Sequence, residues 1–358
     1  MDREERNTGL DLLRILAAFS VIVLHTSAHV WNYLPILSRS WIYACACNIF
    51  TRFSVPAFVM ISGALFLNPD HSINIKKLWL HSILRLFIIY IIWSSIYGLI
   101  ECKNIGFSTL SHTEIIKKMI IGRYHLWFLP MIITIYMLTP ILRTWTQKTS
   151  KKEIEYFLKL FIIFQILMTT ISSLTKNPEI LSFLAGFRVE LACSYVGYFV
   201  LGYYLIQYPI SDKFRTSLYI AFFPSFLINI LVTCNYANEE QAIRPAFFDS
   251  YGLFTMLMTT AIFLLFTRKS KPSAIPTPPA TNTTSDSFPS KIIAELSRST
   301  FGVYLIHLLI MESPILLPIL NSYNPYLSIP FVAIATFLAA LAISALLRHI
   351  PFIGRYLC

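Results

Sequence analysis

The first apolar run of the chain, GLDLLRILAAFSVIVLHTSAH, carries four groups able to do chemistry: Asp11, Arg14, His25 and His29. Arg14 and His25 are 11 residues apart. At about 100° per residue that is three turns plus about 20°, so on a helix both project from one face, about 16 Å apart along the axis. Asp11 and His29 continue the same stripe. Arg14 is permanently charged and presents a forked donor that suits phosphate oxygens. His25 can take a proton near neutral pH and so can deprotonate a hydroxyl. An ionisable side chain inside a membrane span costs roughly 2.5–3.5 kcal/mol on insertion scales, so each needs a partner, a wet cavity or a function. Two readings fit this helix. In one, a phosphate anchor and a base line a tunnel for an acyl-CoA thioester; in the other, the arginine reaches the interface and the histidine is bonded inside a bundle.

Other polar residues stand out against apolar surroundings. Arg52 opens TRFSVPAFVMISGALFL, with Ser54, Pro56, Ser62 and Gly63 behind it. Pro56 frees a backbone carbonyl and kinks a helix, Ser62-Gly63 permits close helix contact, and Arg52 must meet a carboxylate or line a cavity. The stretch EIIKKMIIGRYHLWF contains Lys117, Lys118, Arg123, His125 and Trp127. It reads as an amphipathic helix on the membrane surface, and also as a basic lip that receives an anionic, lipid-linked substrate. Trp127 is an interface anchor or a stacking surface for a sugar ring. In FGVYLIHLLIMES, Tyr304 and His307 form a second polar wall of the cavity, or His307 is a satisfied core histidine.

The elements that must position these groups follow from composition. Of 358 residues, 56% are hydrophobic and only 13% charged. A soluble domain would be nearer a quarter charged, so an ordinary globular enzyme is disfavoured, and disordered, collagen-like and disulfide-stapled classes are excluded. The chain reads as an all-α, polytopic membrane protein with about ten transmembrane helices. The spans are expected near 10–30, 44–67, 83–101, 126–143, 156–174, 191–206, 217–235, 250–267, 299–319 and 328–347. The segment 271–290, rich in Pro, Ser and Thr, reads as a flexible cytoplasmic linker within a single domain covering 1–358. With the N-terminus inside, 18 Lys and Arg fall on inner segments and eight on outer ones. That bias predicts both termini in the cytoplasm and explains a net charge of +11 without nucleic acid. The six cysteines include no CxxC pair, and no metal is expected. No internal repeat is visible, which weighs against an inverted-repeat transporter.

Taken together the segments resemble the acyltransferase-3 family, integral-membrane acyltransferases that include bacterial surface-polysaccharide O-acetyltransferases. The resemblance rests on the Arg-x10-His element at Arg14 and His25, preceded by Gly9-Leu10-Asp11. RFSVPAFVMISGALFL, HLWFLPMIITIYMLTP, SYVGYFVLGYYL, FGVYLIH and the closing LLRHIPFIGRYL follow in order. Many members carry an Arg-x-x-Arg pair entering the third span; here Arg85 is present, Ser82 takes the earlier place, and Lys76, Lys77 and His81 lie nearby.

The resemblance implies a ten-helix bundle in a bacterial cytoplasmic membrane. It would take an acetyl or other short acyl group from cytoplasmic acyl-CoA and pass it to a hydroxyl of a cell-surface or lipid-linked glycan. His25 and Arg14 would be the catalytic pair, with His25 acting as the base toward the hydroxyl or as a brief carrier of the acyl group. Arg14, Arg85, Lys76 and Lys77 would hold the CoA, and Asp11, Arg52, Ser62, His125, Trp127, Tyr304 and His307 would line the cavity. The alternative is a transporter or flippase, in which the same residues line a substrate path without acyl transfer.

Overall fold

A computed structural model describes residues 7–70, 73–187, 194–242, 248–267, 288–322, 324–350 and 354–357. It is 86% helical, with no strand among the described residues. The first half runs α1 (Thr8–Trp31), α2 (Arg39–Thr51), α3 (Ser54–Phe66), α4 (Ile75–Lys77), α5 (Leu84–Ile105), α6 (His112–Ile121), α7 (Phe128–Lys148), α8 (Lys151–Leu160) and α9 (Met168–Leu174). Then come α10 (Pro178–Gly186), α11 (Ser194–Gln207), α12 (Asp212–Glu240), α13 (Leu253–Phe266), α14 (Phe288–Met311), α15 (Leu316–Ser322), α16 (Pro325–Arg348) and α17 (Gly354–Leu357). Two π-helical turns, Leu78–Ile83 and Phe161–Leu167, join α4 to α5 and α8 to α9.

Among the described residues, eight stretches are long and apolar enough to cross a bilayer: Thr8–Trp31, Arg39–Phe66, Ile75–Ile105, Tyr124–Lys148, Lys151–Leu174, Asp212–Glu240, Pro289–Met311 and Pro325–Arg348. The protein is a multi-pass helical membrane protein. Two of the expected spans fall on shorter helices. α11 and α13 have 14 residues each, about 21 Å at 1.5 Å per residue, against a hydrocarbon core of about 30 Å. Residues 191–193 of the expected sixth span lie outside the described residues, as does the expected linker up to 287. Residues 288–290 of that linker already belong to α14.

The second span shows how sequence sets a break. Arg39–Phe66 is a single apolar stretch of 28 residues, but it divides into α2 and α3 at Arg52-Phe53. Pro56 has no N–H for the carbonyl four residues back, and its ring crowds that carbonyl. The residue four back is Arg52. Its own N–H turns to Ile49 O at 3.3 Å, and the helix restarts with Ala57 N donating to Phe53 O at 2.9 Å.

The structure divides into two compact units. The first comprises Met1–Leu65 and Lys151–Leu341. In it α1 packs against α2, α13 and α14. The α3 and α11 backbones touch: a Cβ at Gly63 would run into the Phe199 carbonyl, and one at Gly202 into the Met60 carbonyl. Ile22, Val303, Ala333 and Ala340 form a buried apolar set with Phe19 and Phe337 around it.

The second unit comprises Phe66–Ser150 and Ala342–Cys358. Here α6 lies on α5, with the Lys118 ammonium 2.6 Å from Glu101 and the Tyr90 hydroxyl donating to Ile120 O at 2.9 Å. Arg143 on α7 donates to the carbonyls of Phe66 at 2.9 Å and Asn68 at 2.6 Å, which ties down the turn after α3.

Candidate active site

α1 starts where Asn7 accepts the Leu10 N–H at 3.2 Å, an N-cap that satisfies one of the helix's orphan donors, with Asp11 in the first turn. The helix then runs unbroken to Trp31, so the 11-residue spacing between Arg14 and His25 is kept. Near its start, Asp11 is buried and Arg14 half-buried. The Arg14 guanidinium lies 3.6 Å from Asp11 Oδ1 and donates to Ser297 Oγ at 3.3 Å. The Ser297 hydroxyl donates to Asp11 Oδ1 at 2.6 Å, closing a triangle of carboxylate, guanidinium and hydroxyl. Three turns further on, the His25 and His307 rings lie 5.2 Å apart, centroid to centroid, at 30°. Both partners, Ser297 and His307, belong to α14. The matching offsets mean that α1 and α14 run parallel, and that Arg14 and His25 share one face of α1.

His307 is fully buried and its Nδ1 stands 2.7 Å from the Tyr304 carbonyl. A carbonyl only accepts, so Nδ1 carries a proton and donates it to Tyr304 O.

On the other flank, α2 supplies a hydrogen-bonded chain. Arg52 Nε donates to Asn48 Oδ1 at 2.7 Å, and Asn48 Nδ2 donates to Leu24 O at 2.8 Å and to Ser27 Oγ at 3.3 Å. Leu24 and Ser27 bracket His25 on α1. The guanidinium also sits 5.3 Å from the centre of the Phe248 ring, and its charge reaches both His25 and Asp249. Burial raises the Asp249 carboxyl above its usual range, while the Tyr251 amide and Arg52 draw it back. Arg52 therefore meets a carboxylate's field, as a charge inside a membrane bundle must.

The family model for an acyltransferase domain, of the acyltransferase-3 type, matches residues 7–349. The chain belongs to the acyltransferase-3 family. No curated protein and no solved structure matches the chain. The family match takes in α1 through α16, and it makes the protein a membrane acyltransferase.

The remaining expected site residues of this acyltransferase are distributed over both units. Tyr304, half-buried, gives its carbonyl to His307 and stacks on Phe301 with ring centres 6.3 Å apart. Ser62 is half-buried on α3, beside the close approach at Gly63. His29 Nε2 pairs with Asn321 Oδ1 at 2.9 Å. These lie with Asp11, Arg14, His25, Arg52 and His307 in the first unit.

His125, Trp127, Arg85, Lys76 and Lys77 belong to the second. His125 is buried edge-on against Tyr97, 4.8 Å between ring centres, whereas Trp127 is exposed. Arg85 is half-buried two residues past the π-helical segment, and Lys76 and Lys77 are exposed on α4, which Asn74 caps. α6 has the amphipathic character its sequence predicts: Ile116, Ile120 and Ile121 are exposed, and with Thr113 and Lys117 they line a shallow groove of about 300 Å³.

Three site residues escaped the sequence reading: Ser297, Asn48 and Asp249. Each is short and polar. The available signal was position alone, since Ser297 and Asn48 lie on the α14 and α2 faces that meet α1, and nothing in their own neighbourhood advertises it.

Proposed function

We propose that the protein transfers an acetyl or other short acyl group from cytoplasmic acyl-CoA to a hydroxyl of a cell-surface or lipid-linked glycan. The observation that carries this reading is the shared α1–α14 face, with a guanidinium at one level and two imidazoles three turns away. Arg14 binds phosphate oxygens of the donor, with Asp11 and Ser297 holding its fork in place. The thioester carbonyl reaches His25, which takes the proton of the acceptor hydroxyl as its oxygen bonds to the acyl carbon. The carbon–sulfur bond breaks, an ester forms, and the CoA sulfur leaves as the thiol with that proton. Arg52 offers its donors to the negative charge that develops on the acyl oxygen.

The test uses membrane vesicles from the producing cell, given acetyl-CoA radiolabelled in the acetyl group. Label should enter membrane-bound product with the wild type and not with His25→Ala or Arg14→Ala inserted at equal level. Equal incorporation by the wild type and both variants would reject the scheme. A glycan product would be read by mass spectrometry as an acetyl increment.

A further inference from the structure

Asn48 is fully buried on α2 and uses both ends of its amide on groups that accept only one orientation. Its Oδ1 faces the Arg52 guanidinium, which can only donate, at 2.7 Å, and its Nδ2 faces the Leu24 carbonyl, which can only accept, at 2.8 Å. A second contact from Nδ2 reaches Ser27 Oγ at 3.3 Å. Ser27 is itself fixed, donating to Val23 O at 2.7 Å, and Thr26 donates to Ile22 O at 3.0 Å. The α1 turn that carries His25 is thus held from its neighbour α2 on the residues either side of the histidine. Arg52 sits at the α2–α3 break that Pro56 imposes, where no helical backbone continues to hold it.

We propose that Asn48 is a positioning residue of the acyl-transfer site. It holds the Arg52 guanidinium and the His25 turn as one unit, so that the charge-stabilising group and the base keep a fixed separation. This rests on the acyl-transfer reading above, but the hydrogen bonds that define it do not. No other amino acid of this size offers an acceptor and a donor on one planar group. Aspartate keeps the acceptor for Arg52 and sets an oxygen against the Leu24 carbonyl. Leucine keeps the volume and removes both bonds. Displacing a reacting group by about 1 Å can cost about a hundredfold in rate.

The experiment compares wild type, Asn48→Asp and Asn48→Leu in membrane vesicles. Acetyl transfer from radiolabelled acetyl-CoA is measured alongside the rate at which diethyl pyrocarbonate modifies His25. Peptide mass spectrometry reads that rate, with exposed His112 on α6 as the internal standard. Both variants should turn over at least about tenfold more slowly, with the KM for acetyl-CoA within about twofold of wild type. The His25:His112 modification ratio should change at least about threefold. An unchanged ratio in Asn48→Asp, or wild-type turnover in that variant, would overturn the proposal. If Asn48→Leu does not insert, Asn48→Asp alone decides. A wild type that moves no acetyl label would remove the acetyl-CoA reading, while the modification ratio would still decide the role of Asn48.

Discussion

The His25 ring faces the His307 ring at 5.2 Å, and His307 Nδ1 donates to the Tyr304 carbonyl. The pair joins α1 to α14 at one level, as Arg14 and Ser297 join them at another. The two helices therefore meet through polar groups at both levels, with the apolar contacts of Ile22 and Val303 between. This is a costly way to pack two membrane helices.

Replacing His307 with alanine should leave Arg14 and the cap of α1 intact but remove the surface against which the His25 ring is set. Acetyl transfer should fall by about ten- to a hundredfold, with the KM for acetyl-CoA little changed. Steady-state rates in vesicles across a range of acetyl-CoA concentrations would check it.

The Ser297 hydroxyl donates to one charged group and accepts from another. Ser297→Ala leaves Asp11 with one donor fewer, and a hydrogen bond to a charged group contributes about 1.5–3 kcal/mol. Lower thermal stability in detergent is expected, together with a raised KM for acetyl-CoA at near-normal kcat, because Arg14 loses its second tether. A fall in kcat alone would place Ser297 at the chemistry instead.

Gly63→Ala would drive a methyl group into the Phe199 carbonyl and separate α3 from α11. Overpacking of this kind costs about 1–3 kcal/mol. Gly186 has nothing within 4 Å of its would-be Cβ, so Gly186→Ala should be neutral or stabilise by about 0.4–1 kcal/mol. Thermal unfolding of the two variants in one detergent should move in opposite directions or leave Gly186→Ala unmoved.

Outside the spans, α6 has a pH-dependent start. Ser111 and Glu114 form a capping box, and the Ser111 backbone and hydroxyl donors hold the Glu114 carboxyl below its usual value. The carboxyl's pKa is lowered on folding, so its contribution is complete above the ordinary value of 4.5 and is lost as pH falls through the lower folded value. Hydrogen exchange at the first amides of α6, corrected for intrinsic rate, should show protection that falls below pH 4.5 in wild type. In Glu114→Gln the protection should be nearly independent of pH there.

Much of this fold was legible because membrane spans are written in composition: α1, α5, α7, α12 and α16 lie within a few residues of their expected positions. The shared face of Arg14 and His25 was legible for the same reason, since helical periodicity is a local property. Pro56 announced a kink, although only the structure places the break at Arg52. The unread parts are tertiary. Asn48 and Ser297 reach α1 from helices 24 and 283 residues away in sequence, and no local pattern encodes that. The burial of His125 behind Tyr97 was hidden likewise, because a histidine preceding Leu-Trp-Phe reads the same whether it faces water or a neighbouring ring.

The most direct measurement is an experimental structure of the protein in lipid with a non-hydrolysable acetyl-CoA analogue whose thioester is replaced by a thioether-linked ketone. The account predicts phosphate oxygens at Arg14 and the ketone carbon about 3–4 Å from the His25 ring, on the α1 face that meets α14. An analogue seated on another face of α1, with no phosphate oxygen at Arg14, would contradict it.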